Sequence, residues 1–188
     1  LPADREATAA LVSRLYPSHD IRQIADGCLD AGNPPEGEVY AGVFPGLSVV
    51  CTWDAANDAP TDIGQRFVRE AAGRTLYLHA MHSVVDFFAY AIWEPDGTVR
   101  RSYSLSPDSG VIEDIGTPLP FEEKYLNGDP EFLESLDEDD DYPFRFHPLD
   151  LAEAALRALF GFNYEGRMED DDPDLEEIVL SGFAVTLR

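Results

Sequence analysis

The sequence predicts an α+β fold, a single domain over residues 1–188 with a mostly antiparallel sheet and about three helices packed largely on one side. Three observations carry that reading. Stretches of helical period alternate with stretches of period two. From residue 74 onward the period-two stretches follow one another through short turns, which favours hairpins. No internal repeat and no clean linker divides the chain, and 188 residues suffice for one core.

The elements follow in order. In "ADREATAALVSRLY", Ala7, Leu11 and Leu15 recur every four residues with Val12 beside them, an amphipathic helix stopped before Pro17. "IRQIADGCL" reads as a short strand. "VYAGVF" and "LSVVCTW" flank Pro45-Gly46, a tight β connection. "PTDIGQRFVREAAG" reads as a second helix capped by Thr61 or Asp62, with Ile63, Phe67, Val68 and Ala71 on its stripe and Gly73 at its end. "RTLYLHAM" is a strand and "VVDFFAYAIW" a central one, apolar on both faces. Pro95-Asp96-Gly97 then turns into "TVRRSYSL". In that strand Val99, Arg101, Tyr103 and Leu105 oppose Arg100, Ser102 and Ser104, so one face is expected to be wet. "HPLDLAEAALRALFGF" is the strongest helix. Pro148 lies near its first position, and Leu149, Ala152, Leu156, Leu159 and Phe160 form its stripe. "IVLSGFAVTL" closes the fold as a strand.

Charge bounds the partners. The formal net charge is −24, from 37 acidic and 13 basic residues, and Lys124 is the one lysine. An ordinary nucleic-acid site needs a basic footprint, and an anionic membrane surface repels this chain, so neither is expected as a partner. The acid is concentrated in two segments, 122–141 and 165–177, which read as exposed acidic loops. No apolar run is long enough to span a bilayer. The first residues have neither a basic n-region nor an apolar h-region. Two cysteines, Cys28 and Cys51, make a poor disulfide framework and point to a reduced, cytoplasmic setting.

Three groups of residues could carry chemistry. In "YLHAMHSVVDFFAYAIWE", His79 and His82 precede Asp86. Two imidazoles with a carboxylate suit Zn²⁺, and a His–Asp hydrogen bond can poise a general base. Residues three apart in a strand point to opposite faces, however. This pair lacks the one-face geometry of the helical H-E-x-x-H signature. The expectation is a hairpin end with no shared ion. Ser106, Asp108 and Ser109 follow a strand, but no G-x-S-x-G elbow accompanies them, and turn chemistry is the expected role. Asp137, Asp139, Asp140 and Asp141, with Asp170, Asp171 and Asp172, lack the spacing of a calcium loop. With nearby aromatics they suit a docking surface for a basic protein, or a mimic of nucleic-acid phosphates.

The segments "NPPEGEVYAGVFPGLSVVCTWDAA", "AAGRTLYLHAMHSVVDFFAYAIWE" and "RRSYSLSPDSGVIEDIGTPLPFEE", closed by "HPLDLAEAALRALFGF", resemble an uncharacterised family of actinobacterial proteins, a domain of unknown function. The resemblance implies a bacterial cytoplasmic protein and a short apolar strand ahead of Leu1. It brings no activity, ligand or catalytic residue. A shorter likeness, through "IGTPLPFEE", is to bacterial immunity-type modules that neutralise toxins. The functional expectation is a non-enzymatic protein-binding module, immunity-like or regulatory, with an acidic surface and no cofactor. The alternative is a small metal-dependent or His/Asp hydrolase centred on His79, His82 and Asp86.

Overall fold

The structure, a computed structural model, describes residues 2–128, 143–165, 169–170 and 172–188. Its helices and strands are, in chain order, α1 (Arg5–Leu15), β1 (His19–Gln23), β2 (Gly27–Cys28), β3 (Glu38–Phe44), β4 (Leu47–Thr52), α2 (Gln65–Glu70), β5 (Leu76–His82), β6 (Phe87–Trp93), β7 (Val99–Ser106), β8 (Gly110–Gly116), α3 (Pro120–Leu126), α4 (Pro148–Phe160) and β9 (Val179–Leu187). The α+β class and the antiparallel pairing are those expected from the sequence. The strands divide between two sheets, and the chain forms two compact units. Unit one takes residues 1–55, 64–70 and 173–188, and unit two takes 56–63 and 71–172.

Unit one is a sheet in the order β1-β9-β3-β4, with β2 also paired to β9. Asp4 caps α1 by accepting the Ala7 N–H at 3.0 Å, and Leu11, Val12 and Leu15 bury the helix face. Thr8 joins helix to sheet. Its hydroxyl donates to the Asp4 carbonyl (2.6 Å) and accepts the Val43 N–H (3.0 Å). Pro45-Gly46 makes the β3–β4 hairpin, with Gly46 at φ 79. β9 pairs with β1, β2 and β3. The chain steps from β1 to β2 around Gly182, where a Cβ would lie 2.2 Å from the Ala25 carbonyl oxygen. Cys28 and Cys51 are free thiols, and burial pushes the Cys51 thiol up to about 11.

Unit two is the antiparallel sheet β5-β6-β7-β8. The expected alternation in β6 is what the strand shows. Phe88, Tyr90 and Ile92 join Tyr103, Leu105, Tyr125, Phe146, Leu151, Ala152 and Ala155 in one core beneath α3 and α4. Ala89, Ala91 and Trp93 are buried on the other face. Of the stripe read from Leu149 to Phe160, Ala152 and Leu156 are buried and Leu159 is partly buried, whereas Phe160 is exposed and Leu151 and Ala155 complete the buried face of α4.

Two expectations about β7 and its neighbours need correction. The face carrying Ser102 and Ser104 is dry, and both serines are fully buried. Small side chains there let the turn Pro60–Asp62 sit against the sheet, and their hydroxyls find partners in it or beside it. Ser104 donates to the Asp58 carbonyl (2.6 Å) and Ser102 to the Glu113 carboxylate. Thr61 is not a helix cap, because its N–H and hydroxyl also donate to Glu113, and α2 begins only at Gln65.

The second correction concerns Glu122, which the sequence places at the start of an exposed acidic loop. It lies in α3, and both Glu122 and Arg101 are 0% exposed. Arg101 Nη2 donates to Glu122 Oε1 at 2.6 Å and Nε to Oε2 at 3.0 Å. Nη1 turns outward to Asp114 Oδ1 (2.5 Å) and the Ile115 carbonyl (3.0 Å). Glu122 Oε2 also accepts the Leu119 N–H (2.5 Å), closing the first turn of its helix. Burial alone would lower the Arg101 pKa, but the two carboxylates outweigh it and hold the guanidinium charged. Removing one member strands the other without water. Glu122→Ala is therefore expected to destabilise the protein by about 3–5 kcal/mol in urea unfolding. Pairing Arg101→Met with Glu122→Leu should recover most of that loss, and a double variant as unstable as the single one would refute this account.

Candidate functional site

The His79, His82 and Asp86 group does not assemble. His79 and His82 fall on opposite faces of β5, as the register with Tyr90 and Phe87 requires. His79 points under α4, where its ring packs against Phe88 and Phe160 (centroids 5.5 and 6.1 Å) and its Nε2–H donates to the Ala152 carbonyl at 3.0 Å. Burial lowers its pKa to about 4, against the opposing pull of that carbonyl. His82 is exposed on the far face. Asp86, at φ 48 in the β5–β6 turn, lies 3.6 Å from Nε2 of His147. His147 Nδ1 in turn accepts the Leu149 N–H (3.3 Å) and caps α4. Among the described residues no group of three or more His, Cys, Asp or Glu could hold a metal ion.

The serine group is a turn. Ser106 is buried at the end of β7 and its hydroxyl accepts the Ser109 N–H (3.2 Å), with Asp108 and Ser109 exposed at the tip. Among the acidic residues, Asp170 is exposed. Asp172 is taken by Arg157, which grips both of its oxygens (2.7 Å from Nη2 to Oδ2) and holds its carboxyl below the usual range. Asp137, Asp139, Asp140, Asp141 and Asp171 lie outside the described residues.

A cleft of about 310 Å³ in unit one brings together polar and aromatic residues that the sequence does not single out. It lies where β3 begins and β4 ends, beside the start of β1 and the end of β9. One wall is a network around Asp54. The Tyr16 hydroxyl donates to Asp54 Oδ2 (2.6 Å), the Thr52 hydroxyl donates to the same oxygen (3.1 Å), and Arg66 Nη2 lies 2.9 Å from it. The Arg66 guanidinium also lies over the rings of Tyr16 and Phe67, 4.9 Å from each centroid. Burial, and then the bond to Asp54, push the Tyr16 phenol up to about 12. Burial would raise the Asp54 carboxyl as well, but Tyr16 and Arg66 together pull it below its ordinary value.

The other wall is open chemistry. Glu36 and Glu38 flank Gly37, which takes φ 83 at the approach to β3. Glu38 accepts the Tyr40 hydroxyl at 3.1 Å, while Glu36 is exposed. Trp53, in a 3-10 turn after β4, leaves half of its surface in water. His19 also lines the cleft. Its ring meets Tyr16 edge-on (5.4 Å), and its buried Nδ1 has no hydrogen-bond partner. Tyr16 titrates too high, and Asp54 is held as an anion by three donors, so neither of these two groups exchanges protons readily near neutral pH. The carboxylates of Glu36 and Glu38 and an exposed indole line the same cleft, groups of the kind that interact favourably with cations.

A family model matches residues 1–183. The chain belongs to DUF6928, a family of unknown function. No curated protein and no solved structure matches it. In this DUF6928 chain the cleft residues Glu36, Glu38 and Trp53 all fall within "NPPEGEVYAGVFPGLSVVCTWDAA", one of the segments that carried the resemblance. The signal available in the sequence was a tryptophan at the end of a strand followed by Asp54, beside an acid-glycine-acid turn. It is too short to single out without knowing that β3 and β4 pair.

Two consequences of protonation follow. His79 is neutral in the fold with a pKa of about 4, against about 6.5 in an unfolded chain. Between those values the unfolded state binds more protons, so stability falls as pH drops through this window, by up to about 3 kcal/mol. His79→Phe should flatten that slope in urea midpoints taken from about pH 7 to pH 4, and an unchanged slope would assign it elsewhere. Asp54 shifts in the same direction, and its contribution is likewise lost on acidification, but because its charged form is held by partners rather than because a charge is excluded by burial. Its folded pKa is depressed, so its contribution is complete above the unfolded value of about 3.9 and is lost as pH falls through the folded one. Asp54→Asn should be less stable at neutral pH and lose less on acidification than the parent.

Proposed function

We propose that this chain is a non-enzymatic binding module that docks a basic protein, with the unit-one cleft as its seat. The observation that carries the reading is the pairing of Glu36 and Glu38 with the half-exposed Trp53 in one cleft of a chain with net charge −24. Acid beside an exposed aromatic ring suits a cation that must be stripped of some of its water. The acidic runs containing Asp137, Asp139, Asp140, Asp141, Asp170 and Asp171 add a long-range field that steers such a partner. The same field disfavours nucleic acid and anionic membranes as partners. A bacterial cytoplasmic setting is supported by the arginine-rich, lysine-poor composition and by two free cysteines. An immunity-like or regulatory role would use this surface to occupy a basic partner and hold it.

The test is association with a basic model peptide, followed at about 0.1 M and about 1 M salt, where the Debye length is about 10 Å and about 3 Å. Association should slow as salt rises. Replacing Asp137, Asp139, Asp140 and Asp141 with Asn should slow it at low salt while leaving the fold intact. Trp53→Ala should instead speed release, because it removes the contact made after encounter. Binding that ignores salt, or release that ignores Trp53, would overturn the reading.

A further inference from the structure

We infer that the unit-one cleft is an arginine seat, built to take one guanidinium in preference to a lysine ammonium. The inference rests on the binding role above and names the group recognised. Three features lead to it.

The first is the balance of charge. The cleft is lined by Glu36, Glu38 and Asp54 against a single fixed cation, Arg66. Asp54 and Arg66 neutralise each other through their 2.9 Å contact. Two negative charges remain, and they lie on either side of Gly37. Glu38 gives one oxygen to Tyr40, and among the described residues no ion pair holds either glutamate. A monocation entering the cleft meets carboxylates that need not be pulled from other partners.

The second is the kind of cation the cleft already holds. Arg66 is gripped by a carboxylate while its guanidinium carbon lies 4.9 Å from the centroids of two aromatic rings that stand at 87° to each other. That is guanidinium chemistry. A flat, weakly hydrated cation can stack and donate in its plane at once, whereas an ammonium is compact, strongly hydrated and without a face. Trp53 with Glu36 and Glu38 offers the same two elements again, a large ring open to solvent and two carboxylates lining one cleft, and among the described residues no guanidinium pairs with those carboxylates. Arg66 thus shows in the folded protein the arrangement that an incoming arginine would adopt.

The third is size. At about 310 Å³ the cleft lies at the small end of ligand sites, which run from about 300 to about 1,000 Å³. It accommodates one side chain rather than a helix or a strand. The partner's contribution at this seat is a single arginine.

The experiment uses the full chain and N-acetyl-arginine amide, with the citrulline and lysine counterparts as controls. Citrulline keeps the shape and loses the charge, and lysine keeps the charge and loses the plane. Trp53 is half exposed and Trp93 nearly fully buried, so indole fluorescence reports on the cleft, and calorimetry supplies a second readout. Expected is saturable binding of the arginine compound, with lysine about tenfold weaker or worse and citrulline not bound. The Glu36→Gln, Glu38→Gln double variant should weaken arginine by about tenfold or more while its thermal unfolding stays that of the parent. Trp53→Ala should abolish binding in calorimetry. Citrulline binding as well as arginine, lysine binding equally, or no saturable binding would each overturn the seat. If the basic peptide still binds with salt dependence and Trp53-dependent release while the arginine compound does not, the seat falls and the docking role stands. If neither binds, both fall.

Discussion

Arg101 and Glu122 have no water to fall back on. Each is fully buried, so each must be solvated by protein groups: Glu122 by Arg101 and the Leu119 N–H, and Arg101 by Glu122, Asp114 and the Ile115 carbonyl. The pair sets the position of α3 on the sheet. Glu122 bonds Arg101 and the first turn of its own helix with the same carboxylate, so the carboxylate is fixed relative to its helix and the helix cannot slide without breaking the contact with Arg101. Tyr103 presents its ring to the guanidinium at 5.0 Å, and the outer nitrogen reaches Asp114, whose side chain is half in solvent. An ion pair so enclosed adds little net stability over an apolar replacement. Its value lies in register, since only one placement of α3 satisfies it.

The same chemistry recurs through both units. Arg66 meets Asp54 beneath Tyr16, Arg14 forks onto both oxygens of Glu70, and Arg157 does the same with Asp172. In a chain with one lysine and 37 acids, these contacts fall to arginine. The choice has a physical basis. A guanidinium can be bidentate, stack on an aromatic ring and tolerate burial, and a lysine ammonium does none of these as well. The acid that these arginines leave unpaired is what gives the protein its field.

Periodic, two-state features were legible in the sequence. The alternation of Phe88, Tyr90 and Ile92 against Ala89, Ala91 and Trp93 is a local property of the chain and survives folding unchanged. So is the opposition of His79 and His82, which follows from an odd spacing in a strand. The errors came where a polar residue meets a partner far along the chain. Ser102 and Ser104 read as a wet face because alternation cannot show that Glu113 and the Asp58 carbonyl will meet them. Glu122 read as part of an acidic loop because its fate depends on Arg101, 21 residues earlier. The cleft failed to show for the same reason. Glu38 and Trp53 come together only once β3 and β4 pair, and His19 and Leu187 only once β1 meets β9.

The position of β9 has a consequence for how the chain is made. Unit two is drawn from residues 56–63 and 71–172, whereas the strand at the heart of unit one is residues 179–187. On a ribosome, β1 and β3 emerge long before the strand that lies between them. At about 5–20 residues per second, the wait is roughly 10–30 s. For that time two strand edges face each other across a missing partner, with Val39 and Ala41 uncovered on one of them. Unit two can meanwhile assemble from hairpins between sequence neighbours, the quickest kind of sheet to form. Translation therefore imposes an order on assembly, and a nascent chain paused before β9 would expose apolar edges that the finished protein hides.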